Sequence, residues 1–241
     1  MNTTQIFPRA AGCHAETLQS FKLPVPPSSR SKIRRRLPEV LLAFYILSWL
    51  FLAIRPTDRL TWLFENLLVF AVMPVLICTY KRFRFSNFSY VLMAAFLILH
   101  AIGAHYTYSE TPLGNWFRDQ WGLTRNHYDR IVHFIFGLLV TFPLWEFVNR
   151  RLGQSARFSS LLAVHLIVAW SAIYELLEAL VAHLVSPALG AAYNGAQGDE
   201  WDPQKDMVLA LCGSLLALLI AAICRARTSC RERCPDRAES Q

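Results

Sequence analysis

Charged residues are scarce in this chain of 241 residues. They make up 17% of the sequence, whereas soluble domains typically contain about 25%. Apolar residues make up 54%, and the mean hydropathy is +0.30. Several apolar runs approach the ~20 residues that a helix needs to cross a bilayer core. The composition therefore excludes an ordinary soluble domain and indicates a multi-span membrane protein.

Other features are also missing from the sequence. The first 36 residues are polar and basic, with SRSKIRRR at 29–36 and no apolar core before residue 37, so no cleavable signal peptide is predicted. No internal repeat is visible. Six cysteines are present, and most fall in or near segments predicted to be cytoplasmic, where disulfides are rare.

Six apolar runs predict an all-α integral membrane protein with six transmembrane helices in one bundle. Residues 1–36 are then a basic, disordered cytoplasmic tail, residues 37–224 form the bundle, and residues 225–241 form a basic cytoplasmic tail. The predicted spans are 37–54, 60–80, 88–108, 128–148, 158–185 and 206–224.

The basic residues set the orientation of these spans. With the N-terminus inside, the segments on the inner side hold 18 of the 24 lysines and arginines, as the positive-inside rule requires. Both termini are therefore predicted in the cytoplasm. The net charge of +7 then reflects topology and contact with anionic membrane lipids, and no nucleic acid is expected as a partner.

The ionisable residues of the spans cluster toward the outer side. Charged groups at membrane depth are costly and face the bundle interior, where they mark functional sites. Asp129 and His133 are four residues apart and share one helix face. Glu175 and Glu178 share a face of the fifth span, with Ser171 on the same stripe. These faces are predicted to meet.

Two further spans place polar groups at the same depth, toward the outer side of the membrane. His100 and His105 point away from each other, and His100 is expected to face the interior because Gly103 and Ala104 allow close packing on that side. The last span begins within the stretch GAQGDEWDPQKDMVLALCG at 195–213, whose acidic residues lie at its start. There Asp202, followed by proline, is predicted to cap the helix.

Histidine, aspartate and glutamate on neighbouring helices are the ligand types of a Zn, Mn or Fe site in a bundle. A metal-bound water there would suit hydrolysis of an ester or phosphate in an envelope lipid or lipid-linked molecule. Proton or cation transport, and a structural or partner-binding bundle, remain alternatives. The predicted catalytic residues are Asp129, His133, Glu175, Glu178 and Asp206; the metal ligands are Asp129, His133, Glu175, Glu178 and His100; the substrate-binding residues are Arg118, Arg125, Tyr128, Arg130, Asp199 and Asp202.

Three motifs carry a family resemblance. NHYDRIVHFIFG at 126–137, SAIYELLEA at 171–179 and the stretch at 195–213 resemble the YjdF-type family of bacterial inner-membrane proteins over residues 38–224. That resemblance implies the architecture and a location in a bacterial inner membrane, and no particular reaction. A more distant similarity is to VanZ-like membrane proteins of envelope biology. It implies the same residues, Asp129, His133, Glu175, Glu178 and Asp206, although Glu178 and Ala210 depart from the Gln and Asn of that pattern.

Overall fold

The computed structural model describes residues 30–185 and 197–233, with side chains from 36 to 185 and from 197 to 227. The chain divides into a unit of residues 1–35 and a unit of residues 36–241. The features below belong to the second unit. Most of the two predicted tails lies outside the described residues, although residues 30–36 are helical and the last helix continues to residue 233.

Eight α-helices and no strand occur in the described residues. Short polar side chains begin several of them: Asp58 and Ser155, for example, accept hydrogen bonds from backbone N–H groups of the first turn of their helices. In chain order the helices are α1 (Arg30–Leu52), α2 (Arg59–Glu65), α3 (Leu67–Thr79), α4 (Asn87–His105), α5 (Pro112–Trp121), α6 (Tyr128–Arg151), α7 (Ala156–Leu184) and α8 (Asp202–Arg233).

Four described helices, α4, α6, α7 and α8, are long and apolar enough to cross a membrane. The bent pair α2 and α3 meets the same test when it is taken as one span, which gives up to five among the described residues. An all-α membrane protein is therefore confirmed, but the predicted six spans and N-in/C-in orientation are not. Among the described residues, the predicted span 37–54 is not one of the helices that meet this test, and α1 ends at Leu52, two residues before the predicted end.

The predicted span 60–80 is broken at Asn66, where α2 and α3 differ in direction by 43°. The fully buried Asn66 side chain donates to the carbonyl oxygen of Trp62 at 2.7 Å and accepts from Trp49 Nε1 at 2.7 Å. The carbonyl oxygen of Glu65 lies 3.1 Å from His100 Nε2. The Asn66 side chain and His100 of α4 thus bind backbone carbonyls at the break, as irregular backbone in a membrane requires, and Trp49 of α1 holds the Asn66 amide in place.

The central helix is α6, which packs against α4, α7 and α8. It runs parallel to α8, because successive positions along α6 meet successive positions along α8. Gly137 and Gly213 bring the two backbones into contact: a Cβ on Gly137 would collide with the carbonyl oxygen of Ala210, and one on Gly213 with that of Phe134. This close packing leaves no room for a side chain between α6 and α8 at this level.

A buried carboxylate fixes the far end of α6. Glu146 is 3% exposed and accepts hydrogen bonds from the backbone N–H of Ser86 at 2.8 Å and the Ser86 hydroxyl at 2.9 Å. The Ser89 hydroxyl and Arg150 also donate to it. Glu146 therefore anchors the start of α4 to the end of α6, which is a structural role.

The segment between α4 and α6 is folded back on the bundle. It contains α5, which ends at Gly122 in the left-handed conformation (φ +59°). The amide of the fully buried Asn126 organises the end of this segment: its oxygen accepts from the N–H of Tyr128 at 2.9 Å, and its nitrogen donates to the carbonyl oxygen of Thr111 at 3.1 Å. This contact sets where α6 begins and where Arg125 is held.

Candidate functional site

His133 lies at the contact between α6 and α7, with both ring nitrogens facing polar atoms. Its Nδ1 is 3.1 Å from Ser171 Oγ. Its Nε2 is 3.2 Å from Glu175 Oε1 and 3.6 Å from Asp129 Oδ1. All four side chains are buried. The predicted faces of the two helices do meet, and they meet at this ring.

Three aspartates of α6 and α8 form a second, adjoining group. One carboxylate oxygen from each of Asp129, Asp202 and Asp206 lies within 4.8 Å of the others, and all three residues are buried. Asp206 Oδ1 has no hydrogen-bond partner among the described residues. Glu175 Oε1 is also buried without one, because its approach to His133 Nε2 is close enough for an ion pair but not directed as a hydrogen bond. Two carboxylate oxygens are therefore unsatisfied in the interior.

Two arginines hold Asp202. Arg125 donates from both terminal nitrogens, to Oδ2 at 2.9 Å and at shorter range to Oδ1. Arg130 donates to Oδ1 from Nε at 3.2 Å and Nη2 at 2.8 Å. The bidentate contact of Arg125 is the strong form of this interaction. Asp202, predicted as a helix cap, is instead the first residue of α8, and its carboxylate is bound by arginines.

The network continues to the rim of the bundle. Asp199 Oδ2 accepts from Lys205 Nζ at 2.6 Å and from Arg130 Nη2 at 2.5 Å. Hydrogen bonds from Lys205 and Arg130 hold the pKa of Asp199 well below its ordinary value of 3.8. Burial and the positive charges of Arg130 and Arg125 lower the pKa of His127, which keeps this imidazole neutral at pH 7.

An aromatic group connects His133 to the broken span. The rings of His133 and Tyr174 meet edge to face with centroids 5.9 Å apart, and the Tyr174 hydroxyl donates to Glu65 Oε2. His100 is buried as predicted, with Nδ1 2.5 Å from the Tyr108 hydroxyl. The Tyr108 hydroxyl donates this hydrogen bond, because the other ring nitrogen, Nε2, faces a carbonyl oxygen and so carries the ring proton.

Both nitrogens of His100 are therefore in use. Nε2 donates to the carbonyl oxygen of Glu65, because a carbonyl only accepts, and Nδ1 accepts from Tyr108. His100 was predicted as a metal ligand. In this arrangement neither nitrogen is available for that role, and the residue fixes the break between α2 and α3 instead.

The structure brings most of the other predicted site residues together. Asp129, His133 and Glu175 form the centre described above, with the buried Glu178 one turn from Glu175 on α7. Tyr128 lies beside this group, but its hydroxyl donates to the carbonyl oxygen of Leu99 at 2.8 Å. The structure does not bring in Arg118, which makes an ion pair with its neighbour Asp119 at 3.0 Å. The remaining members of the group are Arg125, Arg130, Asp199, Asp202 and Asp206.

Sequence reasoning missed four contributors to this region. Tyr174 and Glu65 were not assigned to the site. Asn126 and Gln197 were not singled out at all. The Gln197 amide pairs with the backbone of Asn126 at 2.9 and 3.0 Å, which joins the start of α6 to the acidic stretch before α8. The only signal in the sequence was that both lie in the conspicuous motifs.

A cavity of about 440 Å³ opens beside the arginine network. Its walls are polar and carry Arg125, Arg130 and His127 together with the acidic stretch. It shares these arginines with the contacts around Asp202, so it adjoins the buried acids. The lining residues are Thr124, Arg125, His127, Arg130, Gln197, Gly198, Asp199, Glu200 and Trp201.

Comparison with known proteins supports the resemblance noted in the motifs. The inner membrane protein YjdF of Escherichia coli (strain K12) is 34% identical over 177 residues, which cover 73% of this chain and 82% of that protein. No solved structure matches the chain. The model of a family described as predicted membrane protein (DUF2238) matches residues 37–227. That match includes the whole bundle and its buried acidic site, so the chain belongs to the DUF2238 family of membrane proteins.

Proposed function

We propose that the buried acidic site binds a divalent cation and acts on the headgroup of an envelope lipid or lipid-linked molecule. The main support for a bound cation is the spacing of atoms around His133 Nε2, with Glu175 Oε1 at 3.2 Å and Asp129 Oδ1 at 3.6 Å. Ligand bonds of ~2.0–2.2 Å to nitrogen and oxygen place two ligands of one tetrahedral ion roughly 3.4 Å apart. The two measured distances lie on either side of that value.

The charge of the site supports the same assignment. Five buried carboxylates, those of Asp129, Glu175, Glu178, Asp202 and Asp206, surround the two arginines and His133. Both arginines are bound to Asp202. Burying unpaired charge is costly, and a divalent cation between Asp129, Glu175 and Asp206 would offset the excess. It would also satisfy Asp206 Oδ1 and Glu175 Oε1. One imidazole with several carboxylates suits Zn, Mn or Fe.

The substrate side of the proposal comes from the adjoining cavity. Arg125 and Arg130 line it, and guanidinium groups favour phosphate and carboxylate ligands. Below the acids, Gly137 and Gly213 bring α6 and α8 into backbone contact. The site is approached from one side, and the packed helix pair closes it on the other. This arrangement favours ligand binding and catalysis over the passage of an ion or solute between α6 and α8.

The cation assignment is tested by elemental analysis of the detergent-purified protein. We expect near-stoichiometric Zn, Mn or Fe in the wild type and loss of that metal in Asp129→Asn and in Glu175→Gln. Asp119→Asn is the control, because Asp119 is 65% exposed and paired with Arg118. Equal metal in all four proteins, or none in the folded wild type, would overturn the assignment.

We also propose that the protein lies in a bacterial inner membrane with six crossings and both termini in the cytoplasm. In this arrangement α1 supplies the sixth crossing. It is supported by the placement of 18 of the 24 basic residues on the inner side. Alkaline phosphatase fused after Glu110 should be active and a fusion after Gln154 inactive. The reverse pattern would contradict the orientation.

Cation or proton transport is the second candidate, and the broken span favours it. Discontinuous helices form the ion sites of many carriers, and the Tyr174 hydroxyl reaches Glu65 at the break between α2 and α3. If this is the function, proteoliposomes should show gradient-dependent flux that Glu65→Gln abolishes. If no flux is found and metal is bound at His133, transport is rejected and the first proposal is retained.

A further inference from the structure

A second cavity, of about 160 Å³, lies between α1, α3 and α4. It is separate from the acidic site, and its walls are almost entirely apolar. Apolar cavities near 150 Å³ stay dry and hold groups of about the size of benzene, so this one has room for a short length of hydrocarbon. The apolar walls include Leu41, Leu42, Met73, Leu76, Met93 and Leu97.

A buried hydroxyl lies in the wall of this cavity. Tyr45 lines it and is 4% exposed, and its hydroxyl has no hydrogen-bond partner among the described residues. The ring packs in an apolar cluster with Val69 and Ala101. Leaving a buried hydroxyl unsatisfied is costly. The cavity therefore offers a hydrogen-bond donor to an occupant that is otherwise apolar.

Glu39 and Tyr80 make one part of the cavity wall polar, and basic residues lie beside it. Tyr80 donates to Glu39 at 2.8 Å there, and the guanidinium of Arg84 lies over the Tyr80 ring at 5.4 Å. The next residues in the chain, Lys81 and Arg82, are exposed. Basic residues at the end of a membrane helix attract anionic lipid headgroups.

Polar and apolar groups follow one another along this cavity in the same order as they do in a phospholipid. Tyr45 follows Glu39 by six residues, which is about 9 Å of helix rise. A phosphate beside Lys81 and Arg82 would thus be followed, one to two helical turns deeper, by an ester carbonyl that accepts from Tyr45. The hydrocarbon then continues between α1, α3 and α4.

We infer that this cavity binds one acyl chain of an anionic phospholipid, with the Tyr45 hydroxyl on its ester carbonyl and Lys81 and Arg82 at its phosphate. The lipid fills the space between α1 and the α3–α4 pair. It therefore holds α1 against the bundle. This site is independent of the acidic site and of any cation there.

The test is the rise in melting temperature when lipid is added to the delipidated full-length protein in detergent. A ligand that binds only the folded state raises the melting temperature. Phosphatidylglycerol should raise it more than phosphatidylcholine in the wild type. Tyr45→Phe, which removes one oxygen atom, and Ala94→Leu, which fills the cavity, should each lose at least about half of the rise. Leu47→Ala is the control, because this residue of α1 is 67% exposed.

A Lys81→Gln/Arg82→Gln double variant changes only exposed side chains. It therefore provides a second test of the inference if a cavity variant does not fold. It should reduce the response to phosphatidylglycerol to that of phosphatidylcholine. Native mass spectrometry should show one bound phosphatidylglycerol on the wild type and less on Tyr45→Phe. Equal responses to the two lipids, an undiminished response in these variants, or a second copy of the chain in place of lipid would overturn the inference.

Discussion

The Nδ1 of His133 lies 3.1 Å from Ser171 Oγ on the facing helix. Glu175, one turn further along α7, faces the other nitrogen of the ring at 3.2 Å. A single face of α7 thus contacts both nitrogens, and the serine fixes the direction in which Nε2 points. This is how metal-binding histidines are oriented by a partner on their second nitrogen.

Ser171→Ala tests that orientation. If His133 binds a cation through Nε2, loss of the serine contact should weaken cation binding by roughly 10–100-fold while the ligands remain. Titration of metal-depleted protein against a chelator of known affinity measures this change. Ser160→Ala, on the same helix with its hydroxyl on a backbone carbonyl, should bind as the wild type does. Equal affinities of the two variants would refute the positioning role of Ser171.

Asp202→Ala should destabilise the protein strongly. The substitution leaves the buried guanidinium of Arg125 without its bidentate partner, and breaking a buried ion pair costs about 3–5 kcal/mol. Asp199→Ala, at the rim of the same network, should cost much less because solvent screens that site. Reversible unfolding in detergent compares the two variants. Similar losses of unfolding free energy would show that Asp202 is not the anchor.

The ion pairs of Asp199 should stabilise the protein until the solution becomes strongly acidic. Lys205 and Arg130 lower the pKa of Asp199 in the folded state below its ordinary value of 3.8. The stabilisation is therefore full above the unfolded value and is lost as the pH falls through the lower folded value. The difference in melting temperature between wild type and Asp199→Asn should be constant from about pH 8 to pH 5 and shrink below about pH 4. A difference that disappears near pH 6 would contradict this assignment.

Gly137→Ala should push α6 and α8 apart. The new methyl group would meet the carbonyl oxygen of Ala210, which is backbone and cannot rotate away. Overpacking of this kind costs about 1–3 kcal/mol, and a lower melting temperature is expected. Ile131→Ala serves as the comparison because Ile131 is an exposed residue of α6. A wild-type melting temperature for Gly137→Ala would indicate that the two helices are less closely packed.

Helical spacing was sufficient to predict the centre of the site. Asp129 with His133, and Ser171 with Glu175, are four residues apart, so one turn of helix places each pair on one face. Spacing says nothing about partners that are distant in the chain. Arg125 and Asp202 are 77 residues apart, and the contact of Tyr174 with Glu65 spans 109 residues.

The break at Asn66 was missed for a related reason. A single asparagine within an apolar run does not interrupt a helix by itself. It does so here because Trp49 and His100, from two other helices, bind polar groups at the break. Such a break depends on tertiary contacts and leaves no periodic signal in the local sequence.

The parallel arrangement of α6 and α8 has a consequence for biogenesis. Arg125 and Arg130 are synthesised about 70 residues before the carboxylates that bind them. At that stage α6 enters the membrane with Arg130 and His133, and with Arg125 just before it, but without Asp202 and Asp206. The site is completed only when α8 inserts beside α6, so the later helix neutralises the charge that the earlier one has already carried to the membrane.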